Sequence, residues 1–203
     1  MSDVFHTSCE RLLQAPPLWL CQDLLGWHES RALLNYLDQT LDWKQPSLRL
    51  YGREHPIPRR QVWMGDSNAT YRYSGKEFQP APWLPALIPV RERVEARIAA
   101  LGFPARFNSI LLNRYADGEE RMGWHSDDEP ELGPEPIVVA LSLGAERPLR
   151  LRWRDRRSEA FNVWLPNDSL LLMGPGTQQQ LQHALLPRRV PGLRISLTFR
   201  YVS

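Results

Sequence analysis

The second half of the chain, from Phe107 onward, is a series of short β-rich runs, and this texture limits the possible folds most. The runs occupy residues 107–115, 137–143, 149–153, 161–166, 169–174 and 192–202, and clusters of Gly, Pro, Asp and Asn separate them. Many short strands without helical patterns between them are typical of a sandwich, a jelly roll or a barrel. The sequence therefore predicts a mainly β core over residues 105–203.

The first 104 residues show a different pattern. Residues 29–41 carry apolar side chains at helical spacing, and a second such stripe runs from Leu84 to Leu101. Pro85 and Pro89 confine the regular part of the second helix to its later turns. Proline-punctuated segments between the two helices predict hairpins and loops. We expect residues 1–104 to pack on one side of the core as an extension of one integrated domain.

Composition limits the class of protein. A chain of 203 residues with 42% hydrophobic residues suits one soluble globular domain. No apolar stretch approaches the roughly 18 residues of a membrane-spanning helix, and the N-terminus lacks the basic start and apolar run of a signal peptide. Two cysteines, Cys9 and Cys21, provide no disulfide framework, so the sequence predicts free thiols in a reducing compartment, the cytoplasm.

The charge is distinctive in kind rather than in size. The net charge is +2, and of the 25 basic residues only Lys44 and Lys76 are lysines. Guanidinium groups form a planar fork that suits carboxylates and phosphates, so the bias is compatible with anionic partners. Codon bias is the alternative explanation.

An H-x-D motif provides the first candidate for chemistry. In a strand, His125 and Asp127 project from the same face and can converge on one ion, and His183 is the natural third ligand. Two histidines and one carboxylate, with positions left open, form the facial triad of non-haem Fe(II) oxygenases. A solvated turn is the alternative, which H-x-D alone does not exclude.

Three further runs place polar groups on one strand face. In the last run, alternation separates an apolar face from a polar one that carries Arg194, Ser196, Thr198 and Arg200. The polar face points either at water or at an anion. Asn113 and Tyr115 share a face in the run upstream of H-x-D and can orient a carboxylate. In the run 149–153, arginines 150 and 152 likewise alternate with apolar residues, which predicts either a phosphate-binding or a solvated face.

Taken in order, N-R-Y-x-D-G, H-S-D-D-E, H-A-L-L-P and R-I-S-L-T-F-R resemble the AlkB family of Fe(II)/2-oxoglutarate-dependent dioxygenases. The resemblance covers residues 50–200 and is nearest to the DNA-repair members. It implies a double-stranded β-helix, or jelly-roll, core with N-terminal helices and a nucleotide-recognition hairpin lid. That fold agrees with the strand pattern above.

The resemblance also implies cofactors and their ligands. Fe(II) would be bound by His125, Asp127 and His183. Arg194 would form a salt bridge with the distal carboxylate of 2-oxoglutarate and Arg200 would lie near the other carboxylate, while Asn113 and Tyr115 would donate hydrogen bonds to this cosubstrate. With O2, the reaction would hydroxylate an N-methyl group of 1-methyladenine or 3-methylcytosine in DNA and release formaldehyde, succinate and CO2.

The substrate residues follow from the same resemblance. A methylated base reaches such a site only when it is flipped or single-stranded, and aromatic faces and polar groups then hold it. Tyr71 and Tyr73 match the aromatic lid, and Glu129, with Asp128 beside it, matches the carboxylate that accepts from an exocyclic amino group. Tyr51 would be the tip of a finger that enters the duplex. Arg188 and Arg189 match a basic loop that contacts the backbone.

The expected partner is methylated DNA, single-stranded or duplex, with RNA as an alternative, and the expected state is a monomer that does not bind membranes. Three other functions compete. They are an AlkB-like hydroxylase acting on RNA or protein, a non-catalytic nucleic-acid-binding module with a structural metal, and a zinc hydrolase. Tyr71, Tyr73 and Glu129 favour a nucleobase over a protein substrate. A ligand set with open positions argues against a closed structural site, and a hydrolase has no need of Arg194 and Arg200.

Overall fold

The computed structural model describes residues 8–50, 52–73 and 76–203, with the backbone alone at 48–50, 71–73 and 76–78. In chain order the strands are β1 (Cys9–Leu13), β2 (Leu18–Cys21), β3 (Ser47–Leu50), β4 (Arg53–Pro56), β5 (Arg60–Gly65), β6 (Tyr71–Tyr73), β7 (Lys76–Phe78), β8 (Ser109–Tyr115), β9 (Met122–His125), β10 (Val138–Gly144), β11 (Arg147–Trp153), β12 (Phe161–Leu165), β13 (Ser169–Met173), β14 (Leu181–Leu185) and β15 (Arg194–Arg200). The helices are α1 (Trp27–Thr40), α2 (Ile88–Ala100) and the single turn α3 (Thr177–Gln180), with 3-10 turns at Pro85–Leu87 and Pro130–Leu132.

Two antiparallel sheets form the core. The major sheet has the order β1-β2-β13-β10-β15-β8-β5, and the minor sheet has the order β12-β11-β14-β9. Two short hairpins, β3-β4 and β6-β7, stand apart from both sheets. Many neighbouring strands in the two sheets are not consecutive in sequence, as in a jelly roll. The predicted fold class is confirmed.

The outer face of the major sheet packs on the helices. Ile195, Leu197 and Phe199 of β15 are fully buried in an apolar cluster with Leu37 of α1 and Ile98 of α2. This is the apolar face that alternation in the last run predicts. The inner face packs against the minor sheet, where leucines of both sheets form a second cluster.

Both helices lie where the apolar spacing places them. The first begins at Trp27, two residues before the predicted start, and ends at Thr40. The second consists of the 3-10 turn at Pro85–Leu87 followed by α2, whose first turn contains Pro89. Proline is tolerated there because the first amides of a helix have no intrahelical partner. No helix in the described part of the chain is long and apolar enough to cross a membrane.

The first 104 residues contribute more strand than the sequence predicts. β1 and β2 extend one edge of the major sheet through β13, and β5 forms its other edge beside β8. The sequence analysis assigned no strand to β1 and β2, because runs of five and four residues show little period-two alternation, whereas β5 falls in a segment for which hairpins are predicted. A boundary at residue 104 would therefore separate strands that belong to one sheet. The division of the chain at this residue stays a prediction.

The prediction of two free thiols is wrong for this structure. Cys9 and Cys21 form a disulfide. They are register partners in the β1-β2 hairpin, with Cα atoms 4.0 Å apart. The pairing follows from this hairpin, which the sequence did not predict, and so could not be read from spacing alone.

The start of α1 is held by a residue far away in sequence. Asp168, which is 1% exposed and has a φ of 62°, accepts hydrogen bonds from the amides of Leu25 and Gly26 at 2.9 and 2.7 Å. These amides lie just before the helix, where donors have no intrahelical acceptor. Asp168 thus ties the β12-β13 turn to α1.

Replacement of Asp168 should therefore destabilise the fold. We expect Asp168→Ala to lower the free energy of unfolding by about 2–4 kcal/mol, because it leaves two buried amides without acceptors and places alanine at positive φ. Asp168→Asn should cost less, since asparagine retains one acceptor and tolerates this conformation. Urea unfolding followed by circular dichroism measures both. Equal losses for the two variants would contradict the capping role.

Asp168 should also make stability depend on pH. Burial raises its pKa to about 6, although the two amide hydrogen bonds oppose the shift. The folded protein therefore binds this proton more tightly than the unfolded chain, whose aspartates titrate near 3.8. The resulting stabilisation is fully present below about pH 4 and is lost as the pH rises through about 6. Relative to Asp168→Asn, wild type should lose stability over this window and not above it.

Candidate metal centre and cosubstrate pocket

The three predicted metal ligands meet at the open end between the two sheets. His125 ends β9, and His183 lies on β14, directly opposite it in the antiparallel register. Ligand atoms of His125, Asp127 and His183 all lie within 4.8 Å of one another. Pairing of β9 with β14 is therefore what brings two histidines 58 positions apart onto one site.

Asp127 reaches the site by a different route from the one the alternation argument assumed. β9 ends at His125, so Asp127 lies beyond the strand. Its backbone amide donates to Oε1 of Gln178 at 2.9 Å, and the hydroxyl of Ser126 donates to the carbonyl of Leu181 at 2.8 Å. These two contacts fasten the H-x-D segment to the chain that leads into β14.

Hydrogen bonding and burial prepare the histidines for a metal. Nδ1 of His125 lies 2.8 Å from the carbonyl of Gly123 and donates to it, which leaves Nε2 as the ligand atom. Burial and the neighbouring His125 lower the pKa of His183 to about 4, so its imidazole is neutral near pH 7. A neutral imidazole keeps the lone pair that a metal requires.

The carboxylate of the cluster is ionised. Burial opposes ionisation of Asp127, but Arg200 and the two histidines outweigh it and hold its pKa below the ordinary value. Arg200 donates to Oδ1 of Asp127. The other oxygen, Oδ2, lies 3.7 Å from Nε2 of His183. Two imidazoles and one carboxylate make a ligand set that suits Fe(II) and leaves coordination positions open.

A cavity adjoins the metal ligands on the inner face of the major sheet. Strand register places Arg194 opposite Tyr115 and Ser196 opposite Asn113. The cavity is lined by these four residues together with Thr198, Arg200, Met122, Ala140, Leu149, Leu165, Met173, Leu185 and the three metal-site residues. The predicted polar face of β15 and the Asn113/Tyr115 pair thus meet in one pocket rather than at solvent.

Arg194 is the distinctive group of this pocket. Its side chain is 3% exposed, donates to Oγ of Ser142 at 2.9 Å and lies over the ring of Tyr115, 5.4 Å from the ring centroid. Burial lowers its pKa to about 10, which still leaves it charged at neutral pH. No carboxylate pairs with it in the described part of the chain, and its Nε has no partner there. A buried cation without a counter-ion favours binding of an anion.

Arg200 differs in its partner. It lines the same pocket, and its carboxylate partner in this structure is the metal-site residue Asp127. The two arginines of β15 therefore have separate environments, one beside the metal cluster and one beside Ser142 and Tyr115.

Three residues that support the site were not predicted. Gln178 holds Asp127, Arg59 contacts Asn113, and Arg147 is 1% exposed, donating to the carbonyls of residues 117, 120 and 186. Arg147 lies on the inward face of β11, where Leu149 and Leu151 also lie. Extending the alternation of that strand back by one step would have identified it. The outward arginines of the strand instead contact neutral side chains, Arg150 with Asn162 and Arg152 with Gln182.

The predicted nucleic-acid residues are only partly described. Tyr51 lies outside the described residues, and Tyr71 and Tyr73 are described as backbone of the β6-β7 hairpin. Asp128 is exposed and forms an ion pair with Arg154. Glu129 is half-buried, its Oε2 has no hydrogen-bond partner within the described chain, and burial raises its pKa.

Arg188 and Arg189 are exposed in the loop between β14 and β15. The amide of Arg188 donates to the carbonyl of Gly118 at 2.9 Å. A Cβ at Gly118 would lie 1.9 Å from the carbonyl oxygen of Arg188, so this glycine permits the close approach of the two loops.

Comparison with known proteins agrees with this geometry. A family model described as the 2OG-Fe(II) oxygenase superfamily matches residues 17–200. The DNA oxidative demethylase ALKBH2 of Mus musculus is 35% identical over 190 residues, which cover 88% of this chain and 77% of that protein. The human ALKBH2 is 32% identical over 190 residues, which cover 88% of this chain and 71% of that protein.

A rat relative, the alpha-ketoglutarate-dependent dioxygenase alkB homolog 3 of Rattus norvegicus, is 35% identical over 86% of this chain and 60% of its own length. Among solved structures, OsALKBH1 has a TM-score of 0.69 at 17% identity, covering 96% of this chain and 100% of that one. A Trichoplax adhaerens prolyl hydroxylase, in complex with a peptide fragment, has a TM-score of 0.61 at 14% identity, covering 91% and 83%. These two likenesses concern the fold.

The double sheet and its His-Asp-His cluster define a 2-oxoglutarate-dependent oxygenase. Within that superfamily the chain belongs to the AlkB family of dioxygenases.

Proposed function

We propose that this protein oxidatively demethylates N-methylated nucleobases of the 1-methyladenine and 3-methylcytosine type in DNA. The observation that carries the proposal is the adjacency of an open His-Asp-His cluster to a pocket whose buried Arg194 lacks a carboxylate partner within the described chain. The relatives named as DNA oxidative demethylases support the choice of substrate. The products would be the unmethylated base, formaldehyde, succinate and CO2.

His125, Asp127 and His183 would hold Fe(II), and Arg194, Asn113, Tyr115 and Arg200 would bind 2-oxoglutarate. Together with O2 these groups supply oxidation of the substrate's methyl carbon, coupled to decarboxylation of the cosubstrate. The donor set fits both. Two imidazoles and one carboxylate suit the metal, and a buried guanidinium suits the far carboxylate of a dianion.

The remaining work belongs to the chain itself. Arg200 and Gln178 hold Asp127 in place through its carboxylate and its amide. Tyr115 and Arg194 form the anion-binding end of the pocket. Leu149, Leu165 and Leu185 make the opposite wall of the pocket apolar, and this wall would help to keep water out of the pocket.

The methylated base would enter on the side of Glu129. Glu129 is two residues after Asp127, and its Oε2, which has no hydrogen-bond partner among the described residues, would accept from the exocyclic amino group of a flipped base. Asp128 lies beside it. Tyr71 and Tyr73, on the β6-β7 hairpin, would supply the aromatic lid on which the base stacks.

For the polymer, we propose that Arg188 and Arg189 contact backbone phosphates and that Tyr51 enters the base stack of a duplex. Tyr51 belongs to the segment between β3 and β4. Single-stranded DNA would need no such wedge, and RNA is the alternative polymer. We further propose that the protein acts as a monomer in the cytoplasm, although a disulfide such as Cys9–Cys21 is unusual in a reducing compartment.

The experiment uses short oligonucleotides with one 1-methyladenine, single-stranded or duplex, or the matching RNA. Each is incubated with the protein, Fe(II), 2-oxoglutarate and air, and mass spectrometry follows the loss of one methyl group. We expect loss from DNA. Methyl loss confined to RNA would show that the substrate is RNA rather than DNA. Succinate formation without methyl loss from any strand would contradict nucleobase demethylation.

Tyr51→Ala should lower the rate of demethylation of duplex DNA and leave the rate on single-stranded DNA unchanged.

The basic loop makes a separate prediction. We expect the double variant Arg188→Ala/Arg189→Ala to weaken DNA binding at low salt and to reduce the slope of log K against log salt by about 2, because two phosphate contacts are lost. Fluorescence anisotropy with a labelled oligonucleotide measures the slope. Arg106→Ala, which removes an exposed arginine paired with Glu95, is the control. An unchanged slope would exclude this loop from the interface.

A further inference from the structure

Arg59 lies directly behind the wall of the cosubstrate pocket. It precedes β5, which pairs with β8 so that Gln61 faces Asn113 and Arg60 faces Arg114. Continuing this register by one residue places Arg59 opposite Tyr115 and diagonal to Asn113, within reach of a long side chain. Its Nε donates to Oδ1 of Asn113 at 2.8 Å.

This hydrogen bond determines which end of the Asn113 amide faces the pocket. A guanidinium has only donors, so the atom that contacts it must be the amide oxygen. The Asn113 side chain is 4% exposed and lines the cavity, whereas Arg59 does not line it. With Oδ1 occupied by Arg59, the NH2 group remains to donate to an oxygen inside the cavity.

The backbone around Arg59 is fixed on both sides. The amide of Arg59 donates to the carbonyl of Ile57 at 2.8 Å, and the carbonyl of Pro58 accepts from the amide of Arg121 at 2.9 Å. Ile57 in turn donates to the carbonyl of Pro46, at the base of the β3-β4 hairpin, at 2.9 Å. The side chain of Arg59 therefore starts from a restrained position, which limits the entropy lost in holding the amide.

We propose that Arg59 is a positioning residue, which acts through Asn113 by presenting the amide NH2 of that residue to 2-oxoglutarate. Arg59 itself makes no contact with the cosubstrate. This inference rests on the proposed function, in that the pocket takes 2-oxoglutarate.

A double-mutant cycle tests it. The full-length protein is loaded with Mn(II), which does not support turnover, and 2-oxoglutarate is titrated by calorimetry into wild type, Arg59→Met, Asn113→Ala and the double variant. We expect Arg59→Met to weaken cosubstrate binding by about 5- to 20-fold, the size of one misdirected hydrogen bond. In the Asn113→Ala background the same change should alter affinity by less than about 2-fold, because the group through which Arg59 acts is gone.

Two controls separate positioning from folding. Arg60→Met, at the neighbouring exposed arginine, should leave affinity unchanged. Arg59→Lys retains a donor and should restore most of the affinity that Arg59→Met loses.

In steady-state assays Arg59→Met should raise the KM for 2-oxoglutarate and leave kcat within about 2-fold of the wild-type value. This is the pattern of a lost binding interaction.

The outcomes are distinct. Effects of Arg59→Met and Asn113→Ala that multiply in the double variant would overturn the inference, as would wild-type affinity in Arg59→Met. Failure of wild type itself to bind 2-oxoglutarate would overturn the proposed function together with the inference. We expect Arg59→Met to match wild type in circular dichroism and melting temperature, and to weaken binding of 2-oxoglutarate only when Asn113 is present.

Discussion

Asp127→Ala should abolish metal binding and turnover. We expect the rate of succinate formation to fall by at least about 10³-fold, since even the outer partners of metal ligands are worth about 10- to 100-fold. Asp127 is the one carboxylate of the cluster, and Arg200, which pairs with it, would be left without a counter-ion beside the site. Bound Fe(II), measured after anaerobic desalting, and succinate formation give the two readouts.

Asp155→Ala is the matched control, because Asp155 is an exposed aspartate whose nearest cation, Arg157, lies 3.9 Å away. It should retain metal and full activity. Retention of Fe(II) and of succinate formation by Asp127→Ala would show that the His-Asp-His cluster is not the metal site.

Arg194→Met should weaken the binding of 2-oxoglutarate and at the same time raise the stability of the cosubstrate-free protein. Arg194 is buried and contacts a hydroxyl and an aromatic ring rather than a carboxylate. Its replacement removes the partner of an anion, so we expect the KM for 2-oxoglutarate to rise by about 10²-fold or more. The cosubstrate-free protein should become more stable, by about 1 kcal/mol, because an uncompensated buried charge is replaced by an apolar side chain of similar length.

Thermal melts with and without 2-oxoglutarate check both parts. Wild type should melt at a higher temperature when the cosubstrate is present, and Arg194→Met should melt at one temperature in both conditions. Arg150→Met, on the outward face of β11, should behave as wild type. If 2-oxoglutarate still raises the melting temperature of Arg194→Met, the cosubstrate does not bind at Arg194.

Period-two alternation accounts for what the sequence predicted of the site. Alternation alone places Arg194 and Ser196 on one face of β15, and the same rule puts Asn113 and Tyr115 together on β8. Because β8 and β15 are neighbours, these two faces become one pocket wall. The H-x-D motif and a later histidine indicated the metal ligands, and the pairing of β9 with β14 supplied the convergence.

The parts that were missed depend on partners distant in sequence. Asp168 caps a helix that begins more than a hundred residues earlier, and Arg59 contacts an asparagine 54 residues later. Such hydrogen bonds leave no local periodicity, so no window of the sequence contains them. The Cys9–Cys21 disulfide was missed for a related reason, since it depends on an edge hairpin whose strands alternate weakly.

The structure brings Asp127 into the cluster with the two histidines, but by a different route from the one that alternation implied. Alternation along a strand suggested that it shares a face with His125, but the strand ends at His125. The side-chain oxygen of Gln178, 51 residues away, accepts a hydrogen bond from the backbone amide of Asp127 and fixes the position of Asp127 instead. Gln178→Ala should therefore weaken metal binding without removing a ligand, by about the 10- to 100-fold that outer partners contribute.

The most direct test of oxidative demethylation is its stoichiometry. A single-stranded oligonucleotide with one 1-methyladenine is incubated with the protein, Fe(II), 2-oxoglutarate and O2, and methyl groups lost, formaldehyde and succinate are quantified in one sample. We expect equal amounts of formaldehyde and lost methyl groups, at least as much succinate, and none of the three with Asp127→Ala. Methyl loss without formaldehyde, or succinate formation that is unaffected by the methylated strand, would contradict it.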